Sequence, residues 1–503
     1  VTSARERFRA QMSAGARAGG IAMMSKRRVA RVSAAVLGAV IVAGSAVATT
    51  APATAAPAPI PVTFLTAGSG GEFQPTVQIQ LGSDPDPYTV ILDTGSEALV
   101  MYAPVAGATA TPATATVNYV GSSVTGTVST ADFSIGGNTA TAVNFLDGSG
   151  CTGCALAGVD GILGIGQGLD RWTDSSTSTT VEWYSPLLQF DDTTLSAGHT
   201  LAFTQTSGTL TLGAPAAAGS STAVLQAATT ANVYPNTAGY TVYEKPIDLC
   251  WQVEESSVCQ ATTIDTGAPG GIVAGVAFAP YAHVTSPTTA TTQTRIGHLH
   301  SGTSVAFATA SGAAPFASWL AVDSGPGSFS YYNTITDGHL NTGNRFFLDR
   351  TVGYDYATGQ IRVTTNGTVP AAPATVSVAS TIAGALTALW SDLESTSVTD
   401  RLVRVRDSSG AVVQRFNLAG GATSTDITGL DPAQRYTVEI ASANRHGIGA
   451  YRAADPAAPT GAPRLPDTGF DIIGFGSLAA LLMLAGAAAV TAVNLRRRSD
   501  IAG

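Results

Sequence analysis

Two short triplets carry the chemistry legible in this chain: Asp93-Thr94-Gly95, followed by Ser96, and Asp265-Thr266-Gly267, followed by Ala268. Each comes at the end of a stretch that reads as a strand, residues 90–92 and 261–264. Glycine lets two backbones approach closely, and the threonine hydroxyl is placed to brace the turn. If the two turns face each other, their carboxylates come into hydrogen-bond contact. Like charges so close cannot both ionise, so the pair shares one proton. One carboxylate then takes a proton from water while the other protonates a carbonyl oxygen, which is general acid–base hydrolysis without a covalent intermediate. Two rival triplets are weaker. Asp467-Thr468-Gly469 lacks a preceding apolar strand. Asp323-Ser324-Gly325 leaves only about 20 residues before Gly343, too few for the several strands such a turn needs behind it.

The elements around the triplets read as short strands. Between 56 and 366 the sequence is rich in Thr, Val, Ser, Gly and Ala, with alternating or apolar runs at 76–81, 88–92, 209–212 and 360–364 broken by Gly, Pro and Asp. That pattern predicts many strands and almost no long helix; one short helix is expected at 185–190. Residues 370–373 read as a linker, 374–455 as a second β-rich domain and 456–464 as a Pro/Ala stalk.

The region 62–366 resembles the pepsin-like aspartic peptidases. Beyond the triplets, residues 72–81 and 88–96 match the family's opening hairpin and first active-site turn. Tyr119, Gly121, Gly126, Ile135 and Gly136 fall at the spacing of its flap hairpin, and residues 159–166 (Val-Asp-Gly-Ile-Leu-Gly-Ile-Gly) match a first-lobe motif. Gly208–Gly213 and then Gly343, Phe346, Tyr354 and Asp355 fit the segments that close the two lobes. The resemblance implies a mainly β, bilobal enzyme, with lobe one at about 62–215 and lobe two at about 216–366. Asp93 and Asp265 would lie in a cleft, and an extended polypeptide substrate would bind beneath a flap carrying Tyr119. It implies no cofactor and no need for a dimer.

The chain departs from the family at three places. Val100 stands where a tryptophan usually partners the flap tyrosine. Ala268 stands where a hydroxyl usually follows the second triplet, so Ser96 can donate to Asp93 but Ala268 has no side-chain donor for Asp265. Losing a donor to the ionised form raises a carboxyl's pKa, so the expected pH optimum is less acidic than pepsin-like, and Ala268→Thr is expected to lower it. Asn341-Thr342 stand where apolar residues usually precede the closing glycine. Cys250 and Cys259 match the family's short disulfide loop before the second triplet. Cys151 and Cys154 could close a small loop or bridge elsewhere, and the pairing stays open. His298 and His300 lack a nearby acid ligand pattern, so no metal is expected.

The 374–455 segment has Trp390 on an early strand, Leu430 within Gly429-Leu430-Asp431-Pro432, and Tyr436. A buried Trp and a corner tyrosine mark immunoglobulin-like sandwiches, and the segment resembles a fibronectin type III domain. A spacer or weak binding module is the expected role, because fold alone does not assign function.

Both ends read as addresses. Lys26-Arg27-Arg28 and Arg31 precede an apolar run near 34–47 and then Ala53-Thr54-Ala55, the order of a secretory signal. Residues 23–55 are expected to form it, residues 1–22 to lie upstream of a start at Met23 or Met24, and the mature chain to begin near Ala56. At the other end Leu465-Pro466-Asp467-Thr468-Gly469 is followed by an apolar stretch at 472–495 and Arg496-Arg497-Arg498. Motif, span and basic tail (465–503) resemble the sorting signal of Gram-positive wall-anchored proteins, with the apolar stretch as a transmembrane segment. That resemblance implies cleavage by a sortase between Thr468 and Gly469, and covalent attachment to peptidoglycan through Thr468.

Charge narrows the alternatives. The 503-residue chain has a formal charge of −9, and residues 56–469 hold 14 basic against 31 acidic residues. With only two lysines, Lys26 and Lys245, that body lacks the clustered cations that phosphate binding needs, so no nucleic-acid partner is expected. No Gly-x-Ser-x-Gly elbow or phosphate loop is present. A wall-anchored aspartic endopeptidase is the leading reading. The alternatives are a catalytically weak or inactive surface protein that uses the cleft for binding or adhesion, and a purely structural surface protein.

Overall fold

The computed structural model describes residues 57–460 apart from 67–72, 120–121, 153–155, 157, 174–179, 218, 220–221, 236–237, 286–294, 333, 335–339, 381 and 393–396. The signal segment, the sorting motif with its apolar stretch, Gly121 and Cys154 therefore lie outside the described residues. No helix among the described residues is long and apolar enough to cross a membrane.

The chain is mainly β. The Thr- and Val-rich runs form strands because branched side chains suit a pleated, half-buried surface. The helices described are single 3-10 turns: Pro186–Leu188, Ala279–Tyr281 and Asn344–Phe346. The helix expected at 185–190 is one of these. Ser185 caps it by accepting the Leu187 N–H at 3.2 Å, Pro186 opens it, and it ends after three residues, as 3-10 turns usually do within three or four.

Eight strands build the first active-site turn and its cover: β1 (Ile60–Thr66), β2 (Phe73–Leu81), β3 (Tyr88–Asp93), β4 (Leu99–Met101), β5 (Thr109–Tyr119), β6 (Ser122–Ile135), β7 (Asn138–Asp147) and β8 (Gly161–Gly164). They lie in one thirteen-stranded sheet in the spatial order β1-β2-β3-β8-β4-β7-β6-β5. The sheet continues from β1 through Gly208–Leu212 and Gly198–Phe203 to the hairpin of Arg350–Asp355 and Gln360–Thr365. A late segment of the chain thus closes the same sheet as the first. A nine-stranded sheet, with Ile247–Val253, Ser256–Thr263, Gly271–Ala274 and Leu340–Asn341 among its strands, carries the second turn.

One apolar core runs through both sheets. It includes Val90, Leu92 and Leu163 beside the first turn, and Ile264, Val273 and Leu340 beside the second. In β3, Val90, Ile91 and Leu92 are at most 1 % exposed, each contributing about 1.5–3 kcal/mol over an exposed side chain. That burial fixes where β3 ends, and so where Asp93 emerges.

Residues 375–453 form a separate sandwich of a three-stranded and a five-stranded sheet. Trp390, Leu430 and Tyr436 sit in its core, and the Tyr436 hydroxyl accepts the Asp431 N–H at 3.0 Å. The sandwich is docked on the preceding region. Ile448 N donates to Ser318 Oγ at 2.8 Å, Asn417 Nδ2 to Gly302 O at 2.9 Å, and Arg415 pairs with Glu255 at 2.7 Å.

Candidate active site

The two halves position their triplets by the same device. In the first, β3 and β8 pair in parallel, with Ile91 opposite Ile162 and Asp93 opposite Gly164, while β4 flanks β8 on its other side. A Cβ on Gly164 would stand 2.4 Å from Ala98 N, so only glycine fits between the strands. In the second, Ser256–Thr263 pairs in parallel with Leu340–Asn341, with Thr263 opposite Asn341, and Gly271–Ala274 flanks it. Gly343, at φ 66°, plays the part of Gly164, its missing Cβ falling 2.6 Å from the Gly270 carbonyl carbon.

The turns are locked to each other. Thr94 Oγ1 donates to Ile264 O at 2.8 Å and accepts the Thr266 N–H at 3.0 Å. Thr266 Oγ1 donates to Leu92 O at 2.6 Å and accepts the Thr94 N–H at 2.9 Å. Both threonines are buried. The four bonds use backbone groups that a tight turn would otherwise leave unpaired, each costing about 1–3 kcal/mol if orphaned.

This crossing brings the carboxyls together. A Cβ on Gly95 would lie 2.5 Å from Asp265 Cγ, and one on Gly267 would lie 2.5 Å from Asp93 Oδ1. Each triplet's glycine is therefore the floor on which the other triplet's aspartate rests. Asp93 Oδ1 accepts the Gly95 N–H at 2.7 Å and its Oδ2 accepts the Ser96 hydroxyl at 2.5 Å. Asp265 Oδ1 accepts the Gly267 and Ala268 N–H groups at 2.8 and 3.1 Å, and its Oδ2 accepts Asn341 Nδ2 at 2.6 Å. Asp93 is pushed well above the ordinary carboxylate value, first by burial and then by the negative charge of Asp265. Two acids arranged in this way hold a proton between them into a pH range where an isolated aspartate is fully ionised.

The donor set on Asp265 corrects one expectation. Ala268 lacks a hydroxyl, yet Asp265 is not short of donors, because Asn341 supplies a side-chain donor from another strand. An optimum raised by a missing donor on Asp265 does not follow.

Further residues surround the pair. Lys245 donates from Nζ to Gly95 O at 3.0 Å and pairs with the buried Glu97 at 3.3 Å, bracing the first turn from behind. Tyr102 borders Asp93, and its phenol is pushed up to about 12 by burial and then by the Asp93 charge. Tyr119 ends β5, paired with Ser122 at the start of β6, and packs against Ile91, Val159 and Ile162. Val100 and Trp183 share a neighbouring cluster that Tyr119 also touches, so a tryptophan reaches this cluster from a different strand. None of Asn341, Lys245, Glu97, Tyr102 or Trp183 stands out as a site residue in the sequence. Asp323, the rival acid, lies exposed in a turn.

Cys250 and Cys259 are directly opposite in neighbouring antiparallel strands and form a disulfide just before the second triplet. Cys151 is also disulfide-bonded. No group of three or more His, Cys, Asp or Glu side chains among the described residues is arranged to hold a metal ion.

No family model matches the sequence, and no curated protein matches it. Among solved structures, the chain is similar to the crystal structure of an aspartic proteinase from Irpex lacteus. The TM-score is 0.43 at 19 % identity, over 61 % of this chain and 97 % of that one.

Proposed function

We propose that the chain is an aspartic endopeptidase, in which Asp93 and Asp265 hydrolyse peptide bonds through an activated water. The observation that carries the reading is the mutual seating of the two carboxyls, each over the other triplet's glycine and both tied by the Thr94–Thr266 crossing. A structural role does not require two acids pressed together in a buried site, which costs stability. A shared proton provides both groups the reaction needs: a base for water and an acid for the carbonyl oxygen. The β5–β6 hairpin, with Tyr119 near its tip, is the proposed cover for an extended polypeptide. Secretion through the 23–55 segment, sortase cleavage after Thr468 and attachment to peptidoglycan complete the proposal, resting on the order of the sequence signals at the two ends.

A peptide bearing a secondary alcohol in place of the scissile carbonyl tests the site directly. Its hydroxyl would sit between the two carboxyls, like the tetrahedral species of the reaction. Tight binding to the native chain, lost in Asp93→Asn and in Asp265→Asn, is expected. Equal binding to all three would refute the assignment.

A further inference from the structure

The two halves of the site differ in where they find their outer donor. Register places Ile162 and Asn341 at equivalent positions, each opposite the residue two before its aspartate. Ser96 and Ala268 are equivalent too, each three residues after its aspartate. The first half pairs a hydroxyl at 96 with an apolar side chain at 162. The second pairs no hydroxyl at 268 with an amide at 341. Oδ1 is held by one backbone N–H in the first half and by two in the second, and in both Oδ2 is held by one side chain, at 2.5 Å from Ser96 and 2.6 Å from Asn341.

We propose that Asn341 is a positioning residue for the pair: its amide takes the place of the hydroxyl that position 268 lacks and makes Asp265 the carboxylate and Asp93 the acid. The asymmetry is chemical. A serine hydroxyl rotates, so it donates to a carboxylate or accepts from a carboxylic acid. An amide NH₂ only donates. The Asn341 amide cannot turn over to accept, because its Oδ1 is already held by the Gly343 N–H at 2.8 Å. Asp265 Oδ2 therefore always faces a donor, which favours the ionised form before water attacks, whereas Asp93 Oδ2 faces a group that tolerates either state.

The other groups facing the pair do not reverse this. Tyr354, from Arg350–Asp355, is buried against Ile264 O at 3.5 Å and stays neutral. Tyr102 borders Asp93 as a neutral phenol. Lys245 and Glu97 oppose each other behind Gly95.

The inference rests on the peptidase reading for its consequence. With these roles, Asp265 takes a proton from the attacking water while Asp93 gives its proton to the carbonyl oxygen, forming a geminal diol. On collapse the C–N bond breaks. The amine nitrogen takes the proton from Asp265, and one diol hydroxyl returns its proton to Asp93, restoring the starting state.

The test has two arms on the full chain. In an Asp93→Asn background, ¹³C-carboxyl NMR follows the titration of Asp265 with and without Asn341→Leu. In the otherwise native chain, the pH profile of kcat/KM for peptide cleavage is compared among native, Asn341→Leu, Ala268→Thr and the double variant. Losing one charge-assisted hydrogen bond should raise the Asp265 titration, and the acid limb of the profile, by about 1 pH unit. Ala268→Thr should restore the limb in the Asn341→Leu background, yet move it by well under half as much in the native chain, where Oδ2 is already occupied. An unshifted Asp265 titration in folded Asn341→Leu overturns the inference. So do equal effects of Ala268→Thr in both backgrounds. If Asn341→Leu does not fold, Asn341→Ala replaces it in both arms. If the native chain cleaves no peptide, the peptidase reading fails, and the NMR arm alone decides the role of Asn341.

Discussion

Gly95→Ala should abolish most activity while leaving the fold in place. The added Cβ would stand 2.5 Å from Asp265 Cγ and 2.6 and 2.7 Å from its oxygens, where real Cβ atoms essentially never come within 3.0 Å. The Asp265 carboxyl must therefore retreat by about 0.5–0.9 Å to reach tolerable contact. It is not free to do so, because Gly267 N, Ala268 N and Asn341 Nδ2 grip both oxygens. Gly95 is not among the positive-φ glycines, so alanine meets no torsional bar and the damage is confined to this contact. Overpacking of this kind costs about 1–3 kcal/mol, and a misplacement approaching 1 Å in a reacting group costs about 10²-fold in rate. Steady-state cleavage should show kcat down about 100-fold with KM little changed, and thermal melting should show a small loss. Gly150→Ala, which meets nothing within 4 Å, serves as the control. Near-native kcat with an unchanged melting temperature in Gly95→Ala would refute the close seating of Asp265 on the first turn.

Three other perturbations have defined outcomes. Thr94→Val strips a donor from Ile264 O and an acceptor from Thr266 N, so urea unfolding should report a loss of about 2–5 kcal/mol, and Thr94→Ser should recover most of it; a neutral Thr94→Val would count against the crossing. Burial holds His199 neutral down to about 3, against an ordinary 6.5. As pH falls below 6.5 the unfolded chain takes up a proton that the folded chain refuses, so stability drops by about 1.4 kcal/mol per pH unit until about pH 3. His199→Leu should flatten that slope in urea midpoints measured across the range, and an unaltered slope would show that His199 is not its source. Removing the Cys250–Cys259 bridge, which closes a span of 9 residues, should cost about 2.5 kcal/mol in calorimetry of the double alanine variant; an unchanged melting temperature would contradict this.

Some of this architecture was readable because its causes are local. Alternating Thr and Val runs specify strands by pattern alone, and the mainly β character follows from them. Asp-Thr-Gly at the end of an apolar run is a local mark too, although the bonds that lock each turn come from the other triplet. Local reading also overstated one element: Ser185 and Pro186 give a start signal for a helix, but nothing sustains it beyond Leu188. What escaped reading depends on pairing between distant strands. Asn341 meets Asp265 only because Leu340–Asn341 inserts in parallel beside Ser256–Thr263, across a separation of 76 residues. In sequence it shows only as a polar residue in an apolar setting, a departure without an address. Lys245 and Glu97 meet across 148 residues, and Trp183 joins Val100 through the packing of a separate strand. A missing donor at Ala268 and an added one at Asn341 make sense only together, which a linear reading separates.

Cleavage of a mixed peptide library by the full chain from about pH 3 to 7, the span over which a proton-sharing acid pair titrates, tests whether Asp93 and Asp265 work as one pair. Native protein, Asp93→Asn and Asp265→Asn would be compared, each verified as folded by circular dichroism. Cleavage by the native chain that disappears in both variants is the predicted result. Cleavage that survives in either folded variant, or a well-folded native chain that cuts nothing at any pH, would contradict the claim that these two carboxyls act as one catalytic pair.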